Sequence, residues 1–553
     1  MDKALDMGKT SATGSFHLLI GVAGSTIIMF IGTFILATLL PVADVGLYGM
    51  ALIPSSIISF FRDWGVNYAM TQQIANFRAS GKESEIHDVI VSGIVFEILT
   101  GAILSVICFA VAQPLSLILN SSNSANLSVY ISIMSLSIFA GAIFSAATAI
   151  FTGFERMKLN SFTQIIQAIV KTALGPILII LGFGVLGAVF ASMASLVTGG
   201  VVGILIVYFA VFRSLRKCKV GKCDVKQTLK PMLMYGLPLT VSNIVIGVLP
   251  QVFAFTMAVY AGASMMGNYY AAAYFSVLLT FISIPISTAL FPAFSKLNAE
   301  KEPELVKTVF VSSVKYTSML LVPATMILMT LSVPLIGFLF PKDGIFHALF
   351  TINATPKFPN APLFLAVASI INLLVLLGNI SVGTFQIGIG KTNQIMKQSL
   401  ASLSIGLPLA WGLVAYFNSI GGPSFAIIGG ISGTLISTLP SLVMALYWSW
   451  KNYGVKTDFR NSAKIFASSA IASLVTYLFI SFLRLPYFVI LLSGFVVFMF
   501  VYLAVAPLIG AVNQTDIDNF KNMFSSLGII AKIMSFPLFF MQKICEVKNS
   551  KRP

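Results

Sequence analysis

Apolar runs of twenty or more residues, broken by short polar or basic stretches, recur from residue 17 to residue 510. A helix crossing about 30 Å of hydrocarbon needs roughly 20 mostly apolar residues. That window predicts fourteen spans, at about 17–40, 45–67, 88–112, 128–152, 160–182, 184–211, 235–260, 267–291, 308–331, 361–388, 397–417, 424–450, 462–483 and 486–510. The first is too long for a signal peptide, lacks a convincing cleavage site and is followed by thirteen more. The pattern predicts an all-α polytopic membrane protein.

Basic residues test the count. With the N-terminus inside, the alternate inner segments hold 28 Lys and Arg. The outer loops hold only Lys342, Lys357 and Arg484, and three more, Arg62, Lys171 and Lys315, fall within spans. One miscounted span would invert every later loop and destroy this asymmetry. Both termini are therefore expected in the cytoplasm, and the cell membrane is the expected location. Sequons at Asn120, Asn126 and Asn353 fall in predicted outer loops.

Composition narrows the function classes. The 553 residues are 57% apolar and 9% charged, with a mean hydropathy of +0.94. Soluble domains carry about 25% charged residues, so a soluble enzyme and a disordered chain are both excluded. The net charge of +16 reports orientation in such a chain, and no nucleic-acid partner is expected. Cys218 and Cys223 sit in a basic loop without a flanking His, so neither a zinc site nor any other metal or cofactor is expected.

Two local similarities suggest duplication. Val45-Gly46-Leu47-Tyr48-Gly49-Met50-Ala51 follows span one, and Met266-Gly267-Asn268-Tyr269-Tyr270-Ala271-Ala272 follows span seven. Gly184-Val185-Leu186-Gly187-Ala188 opens span six, as Ala426-Ile427-Ile428-Gly429-Gly430 lies early in span twelve. The organisation expected is a six-helix lobe at 1–211, a basic linker at 212–234, a second six-helix lobe at 235–450, spans thirteen and fourteen within 451–510, and a cytoplasmic tail at 511–553. The lobes would share one orientation and be related by an axis along the membrane normal. Residues 524–541 of the tail, with Lys532 and Lys543, suit an interfacial helix on anionic lipid.

Ionisable residues inside a span cost about 2.5–3.5 kcal/mol on insertion scales and normally face a partner or a watery cavity. Arg62, Asp63, Glu97, Lys171 and Lys315 are in that position. Asn160, Gln164, Gln167 and Lys171 follow steps of four, three and four, one stripe of a helix. Span ten carries Asn372, Asn379 and Gln386, and span seven Asn243 and Gln251. Amides also join helices by hydrogen bonds. Tyr48, Tyr269, Tyr270 and Tyr274 equally suit interfacial anchors. Arg62 and Asp63 equally suit a local pair, with Glu97 bound to Arg62 or Lys171. Three intramembrane cations against two acids favour an anionic, hydroxyl-rich solute such as a sugar pyrophosphate, with Lys and Arg holding phosphate. The predicted substrate-binding set is Arg62, Lys171, Gln164, Gln167, Asn160, Lys315, Asn243 and Asn379. Asp63 and Glu97 are candidate ion-coupling residues.

Several stretches resemble the lipid-linked oligosaccharide and polysaccharide flippases of the MOP (multidrug, oligosaccharidyl-lipid, polysaccharide) superfamily. They are Ala43-Asp44-Val45-Gly46-Leu47-Tyr48, then Asp63-Trp64-Gly65 with the polar run to Arg78, and Phe151 to Lys158 with Gly153, Glu155 and Arg156. The second half adds Tyr235-Gly236-Leu237-Pro238-Leu239, Gly267-Asn268-Tyr269-Tyr270-Ala271-Ala272 and Leu290-Phe291-Pro292-Ala293-Phe294-Ser295. The similarity covers about residues 15–510. It implies two six-helix lobes in an inverted V, alternating access, and a cationic cavity carrying an undecaprenyl- or dolichyl-linked sugar headgroup. Where that family commonly has an acidic residue early in span seven, this chain reads Ser242-Asn243-Ile244.

The expected function is translocation of a polyprenyl-phosphate-linked glycan by a monomeric flippase that makes and breaks no bond. The proline residues Pro238, Pro250, Pro285, Pro323 and Pro334 are expected to break helices, as rocking lobes require. A drug/cation antiporter of the same superfamily is the nearest rival and would prefer acidic cavity residues. A membrane glycosyltransferase would need carboxylates for metal or acid–base work, and the outer loops offer only Asp44 and Asp343.

Overall fold

The computed structural model describes residues 2–119, 124–213, 224–295, 301–344, 349, 351–352, 355–525 and 529–550. Residues 214–223 of the basic linker, with Cys218 and Cys223, and the sequons at Asn120 and Asn353 lie outside them. Regular structure among the described residues is helical throughout, apart from isolated bridges at Pro341–Pro356 and Ile352–Pro486. Among the described residues, ten helices are long and apolar enough to cross a membrane, or eleven when one bent pair counts as a span. The chain is a multi-pass membrane protein.

Three of those ten are long runs that each contain a glycine at positive φ. Met157–Val211 turns at Gly182 (φ 93°), Asn243–Thr280 at Gly262 (φ 71°) and Thr392–Tyr453 at Gly422 (φ 72°). The expectation that proline supplies the breaks agrees with Pro334, which follows the break at Leu331 between Pro303–Thr330 and Ser332–Leu339, and is corrected for the other prolines. Pro323 sits inside an unbroken helix, Pro303–Thr330, and Val225–Ser295 leaves helical geometry only at Gly262, despite Pro238, Pro250 and Pro285. A proline removes one hydrogen bond, whereas a residue at positive φ reverses the chain's path.

The chain packs as two compact units, Met1–Tyr274 with Met396–Thr438, and Phe275–Ile395 with Leu439–Pro553. The first is built from α1 (Asp2–Leu39), α2 (Val42–Ser59), α3 (Val66–Ala79), α4 (Glu83–Ala110), α5 (Ala112–Leu119), α6 (Ser124–Gly153), α7 (Met157–Leu178) and α8 (Gly184–Val207), with the first part of α9 (Val225–Ser295). Small residues set its packing. Gly21 and Gly32 of α1 lie against Ser161 and Thr172 of α7, Gly101 of α4 against Ala142 of α6, and Gly203 of α8 against Ala147 of α6. In a membrane, helix association rests on such close approach and on hydrogen bonds between helices. Thr172 Oγ1 donates to Ile28 O (2.8 Å), and Ser105 Oγ to Ser135 O (2.8 Å).

The second unit contains the end of α9 with α10 (Pro303–Thr330), α11 (Ser332–Leu339), α12 (Ala361–Ser369) and α13 (Asn379–Gly388). It also takes the end of α14 (Thr392–Tyr453) and all of α15 (Phe459–Phe482), α16 (Tyr487–Ile509), α17 (Gln514–Ser525) and α18 (Ile529–Ser550). A 3-10 turn, Ile370–Leu377, joins α12 to α13 across a 55° bend at Gly378. The carbonyls freed at the bend are satisfied by hydroxyls: Thr457 Oγ1 donates to Leu377 O (2.9 Å) and Ser462 Oγ to Leu376 O (2.8 Å). Irregular backbone survives at membrane depth only when paired in this way. Tail helix α18 buries Leu538, Met541 and Cys545 in the same apolar cluster as Phe498 and Tyr502 of α16.

Candidate functional site

In the first unit, α2 ends after Ser59 and the chain turns through Trp64 and Gly65, both at positive φ, into α3. That turn delivers Arg62, Asp63 and Asn67 against α4 and α6. Arg62 Nε lies 3.0 Å from Glu97 Oε2, an ion pair not aligned as a hydrogen bond, with 12% and 0% of the two side chains exposed. Arg62 also donates to Ser145 Oγ (2.7 Å). Asn67 Nδ2 donates to Glu97 Oε1 (2.7 Å), and the Asn67 backbone N–H to Asp63 Oδ1 (2.9 Å). Burial of these charges is tolerable because each is paired and hydrogen-bonded. The knot fastens three helices, and it spends Arg62 on a carboxylate.

The predicted stripe on α7 divides into two parts. Asn160 is buried, and its Nδ2 donates to Thr152 Oγ1 of α6 (3.2 Å). Gln164 Nε2 donates to Asn160 Oδ1 (2.9 Å). Further along, Gln167 packs by Gly199 of α8. Lys171 is half-buried and has no hydrogen-bond or ion-pair partner among the described residues. The exposed side of α7 is marked by Phe162, Ile169, Ala173 and Ile177. At 100° per residue Lys171 lies on the opposite side, beside Gln164 and Gln167. It therefore projects from the side of α7 opposite the exposed residues.

Both ends of α2 meet α9 with no space for a side chain between them. At one end Gly46 lies on Ala263 O, Gly49 on the Tyr270 ring and Gly267 on Val42 O. At the other, Gly65 and Gly236 meet backbone to backbone and the Phe60 ring lies on Gly247. Asn243 Nδ2, an exposed amide, donates to Tyr68 OH beside that second contact (3.2 Å). Tyr48 is buried and its hydroxyl pairs with Ser192 Oγ of α8 (2.7 Å), while the Tyr269 and Tyr270 rings lie 5.4 Å apart.

Two predicted residues lie in the second unit. Asn379 is exposed and opens α13 just after the Gly378 bend. Lys315 Nζ bonds Asp516 Oδ2 of α17 at 2.5 Å, with 13% and 6% of the side chains exposed. Sequence reasoning gave Asp516 no role. It lies 201 positions from its partner, and its one local signal is an acid in the first turn of α17, where it also accepts from the Asn513 N–H (2.8 Å).

A family model described as "Polysaccharide biosynthesis protein" matches residues 11–298, more than half of the sequence. The chain belongs to the polysaccharide biosynthesis protein family. The matched segment includes most of α1, all of α2 through α8, the Arg62–Glu97 knot and the Lys171 stripe. No curated protein sequence matches. Among solved structures, the lipid II flippase MurJ in an inward closed conformation superposes with a TM-score of 0.68 at 17% identity, over 89% of this chain and 98% of that one. An inward-facing multidrug resistance MATE family transporter of the MOP superfamily gives 0.61 at 15% identity, over 76% and 93%. A MOP superfamily transporter from Pyrococcus furiosus, described with a binding pocket of reversed polarity, gives 0.53 at 17%, over 81% and 96%. The fold is that of the MOP superfamily.

Proposed function

We propose that this protein is a flippase that moves a polyprenyl (undecaprenyl or dolichyl) phosphate-linked oligosaccharide across the cytoplasmic membrane by alternating access. The observation that carries the reading is Lys171, half-buried on the side of α7 away from its exposed residues and with no protein counter-ion among the described residues. A mid-span charge left unpaired is costly, and a phosphate entering beside it would remove the cost. Gln164 and Gln167 stand on the same face for sugar hydroxyls, with Asn160 anchoring the stripe and Asn243 at the α2–α9 contact. Arg62 and Lys315 are neutralised in this conformation, so Lys171 carries the charge recognition. Asp63 and Glu97 form the candidate coupling site for a cation.

In this reading the fourteen spans form two like-oriented six-helix lobes plus spans thirteen and fourteen, and both termini are cytoplasmic. The α2–α9 contacts lie within the first unit, where the first span of the second lobe would meet the first lobe. The reading is supported by the fold shared with MurJ, a lipid II flippase, and by membership of the polysaccharide biosynthesis protein family. The antiporter reading is less well supported, because a cationic drug would meet a free ammonium and a carboxylate already bound to Arg62. Transport repositions the cargo, with no bond made or broken.

Reconstituted into liposomes, the protein is expected to move a fluorescent polyprenyl-pyrophosphate sugar between leaflets. Lys171→Ala should slow that movement while the protein stays folded. Unchanged transport in this variant removes Lys171 from the mechanism.

A further inference from the structure

The second unit carries a half-open apolar groove of about 570 Å³ that the transport reading does not use. Its walls come from residues 278–282 of α9, 319–335 of α10 and α11, 491–503 of α16, and Pro537, Leu538 and Met541 of α18. The hydroxyl of Tyr502, one of the few polar groups in the lining, is already committed to Met319 O (3.2 Å). An engineered apolar cavity of about 150 Å³ stays dry and captures small hydrocarbons. A groove of this lining that opens on one side admits a hydrocarbon chain, which gains dispersion contacts along its walls. Hydrocarbon is the occupant such a lining selects.

A charged rim adjoins it. Lys464 of α15 donates to Gly510 O (3.4 Å), and Lys548 of α18 donates to Pro507 O (3.0 Å). Gly510 ends α16 at φ 79°, and the place a Cβ would occupy lies 3.2 Å from the Lys548 nitrogen and 3.7 Å from that of Lys464. Two ammoniums thus crowd one spot, and among the described residues neither has a carboxylate within ion-pair distance. Capping the end of α16 accounts for one donor of each lysine; an ammonium has three. The nearby acid, Asp516, is bound to Lys315.

Rim and hollow are one surface. Met541, Cys545 and Lys548 follow steps of four and three on α18, so a single stripe runs from the apolar wall to the ammonium. Cys545 Sγ contacts Val512 O (3.8 Å), and Val512 lines the hollow. We propose that the second unit holds one anionic glycerophospholipid, with an acyl chain in the hollow and its phosphate on Lys464 and Lys548. Under the topology of the transport reading, this rim faces the inner leaflet. The site lies apart from the residues assigned to the cargo. Charge complementarity selects an anionic headgroup, since a zwitterionic lipid leaves the paired ammoniums uncompensated.

The full chain, carried into nanodiscs of equal phosphatidylglycerol and phosphatidylcholine, should retain one phosphatidylglycerol in native mass spectrometry. Lys464→Gln with Lys548→Gln should lower that retention at least tenfold. Met541→Trp, which fills the hollow and leaves both lysines, should lower it as well. The melting temperature of each variant, measured without lipid, shows that it is folded. Equal retention of phosphatidylcholine, unchanged retention in either variant, or an isoprenoid chain in place of the phospholipid overturns the proposal. Stabilisation by inorganic phosphate alone, as large as that given by the lipid, overturns it too. None of these measurements depends on transport, so the site and the flippase reading fail separately.

Discussion

Arg62 and Glu97 form a buried ion pair with 3.0 Å between Nε and Oε2, and it joins the α2–α3 turn to the middle of α4. The pairing changes the accounting of charge in the first unit. Of its two intramembrane cations only Lys171 has no carboxylate partner among the described residues, so under the proposed function recognition of an anion would rest on one residue.

Breaking that pair from one side should be expensive. Glu97→Gln leaves the Arg62 guanidinium buried without its counter-charge, a loss of about 3–5 kcal/mol for pairs of this kind. The expected outcome is a marked fall in melting temperature in detergent. Arg62→Gln combined with Glu97→Gln should be less destabilised than the sum of the single variants. Additive losses would show that the two side chains do not interact.

The glycine contact at the end of α2 allows a controlled comparison. Gly65 and Gly81 have nearly the same φ, 75° and 70°, but Gly65 touches the Gly236 backbone and Gly81 has nothing within 4 Å of a built Cβ. An alanine at either position pays strain of about 1–2 kcal/mol. Gly65→Ala must also push α9 away, so its melting temperature should fall well below that of Gly81→Ala. Equal shifts would mean that the α2–α9 contact contributes nothing.

The tail should be held by its acid. Asp516→Asn removes the charge that pairs with Lys315 and weakens the cap on α17. Cys545, buried on α18, then becomes the reporter. With Cys108, Cys218 and Cys223 replaced by serine, maleimide should label Cys545 several-fold faster in the Asp516→Asn protein. An unchanged labelling rate would show that apolar packing alone fixes the tail.

The sequence made some of this legible and hid the rest, for physical reasons. Helical period alone places Asn160, Gln164, Gln167 and Lys171 on one face, because steps of three and four are fixed by backbone geometry. It cannot say that Asn160 spends its amide on Thr152, since that depends on how α6 lies beside α7. Lys315 looked free because its partner sits in a polar segment beyond the final span, where an aspartate is unremarkable. Asn379 looked like a mid-span polar residue. The 55° bend at Gly378 makes it the first residue of a new helix, and a lone glycine in an apolar run gives little warning of a bend. The gaps between predicted spans at 260–267 and 417–424 anticipate the breaks at Gly262 and Gly422, while the bend at Gly378 falls inside a continuous apolar run that hydropathy does not divide.

Lys171 should be tested by charge and by shape together. A charge-assisted hydrogen bond contributes about 1.5–3 kcal/mol, roughly ten- to a hundredfold in affinity. Lys171→Met keeps the length and apolar stem and removes the charge, so half-saturating concentrations of a polyprenyl-pyrophosphate sugar should rise by that factor. Lys171→Arg keeps the charge and should retain most of the transport, with some loss because the planar guanidinium fits a different geometry. Lys171→Glu places an anion where the phosphate would sit and should abolish uptake of the anionic cargo. Folding has to be matched across the three, because a buried glutamate also costs stability. If Met and Arg transport alike at every concentration, the ammonium does not recognise phosphate, and the inward face of α7 serves packing alone.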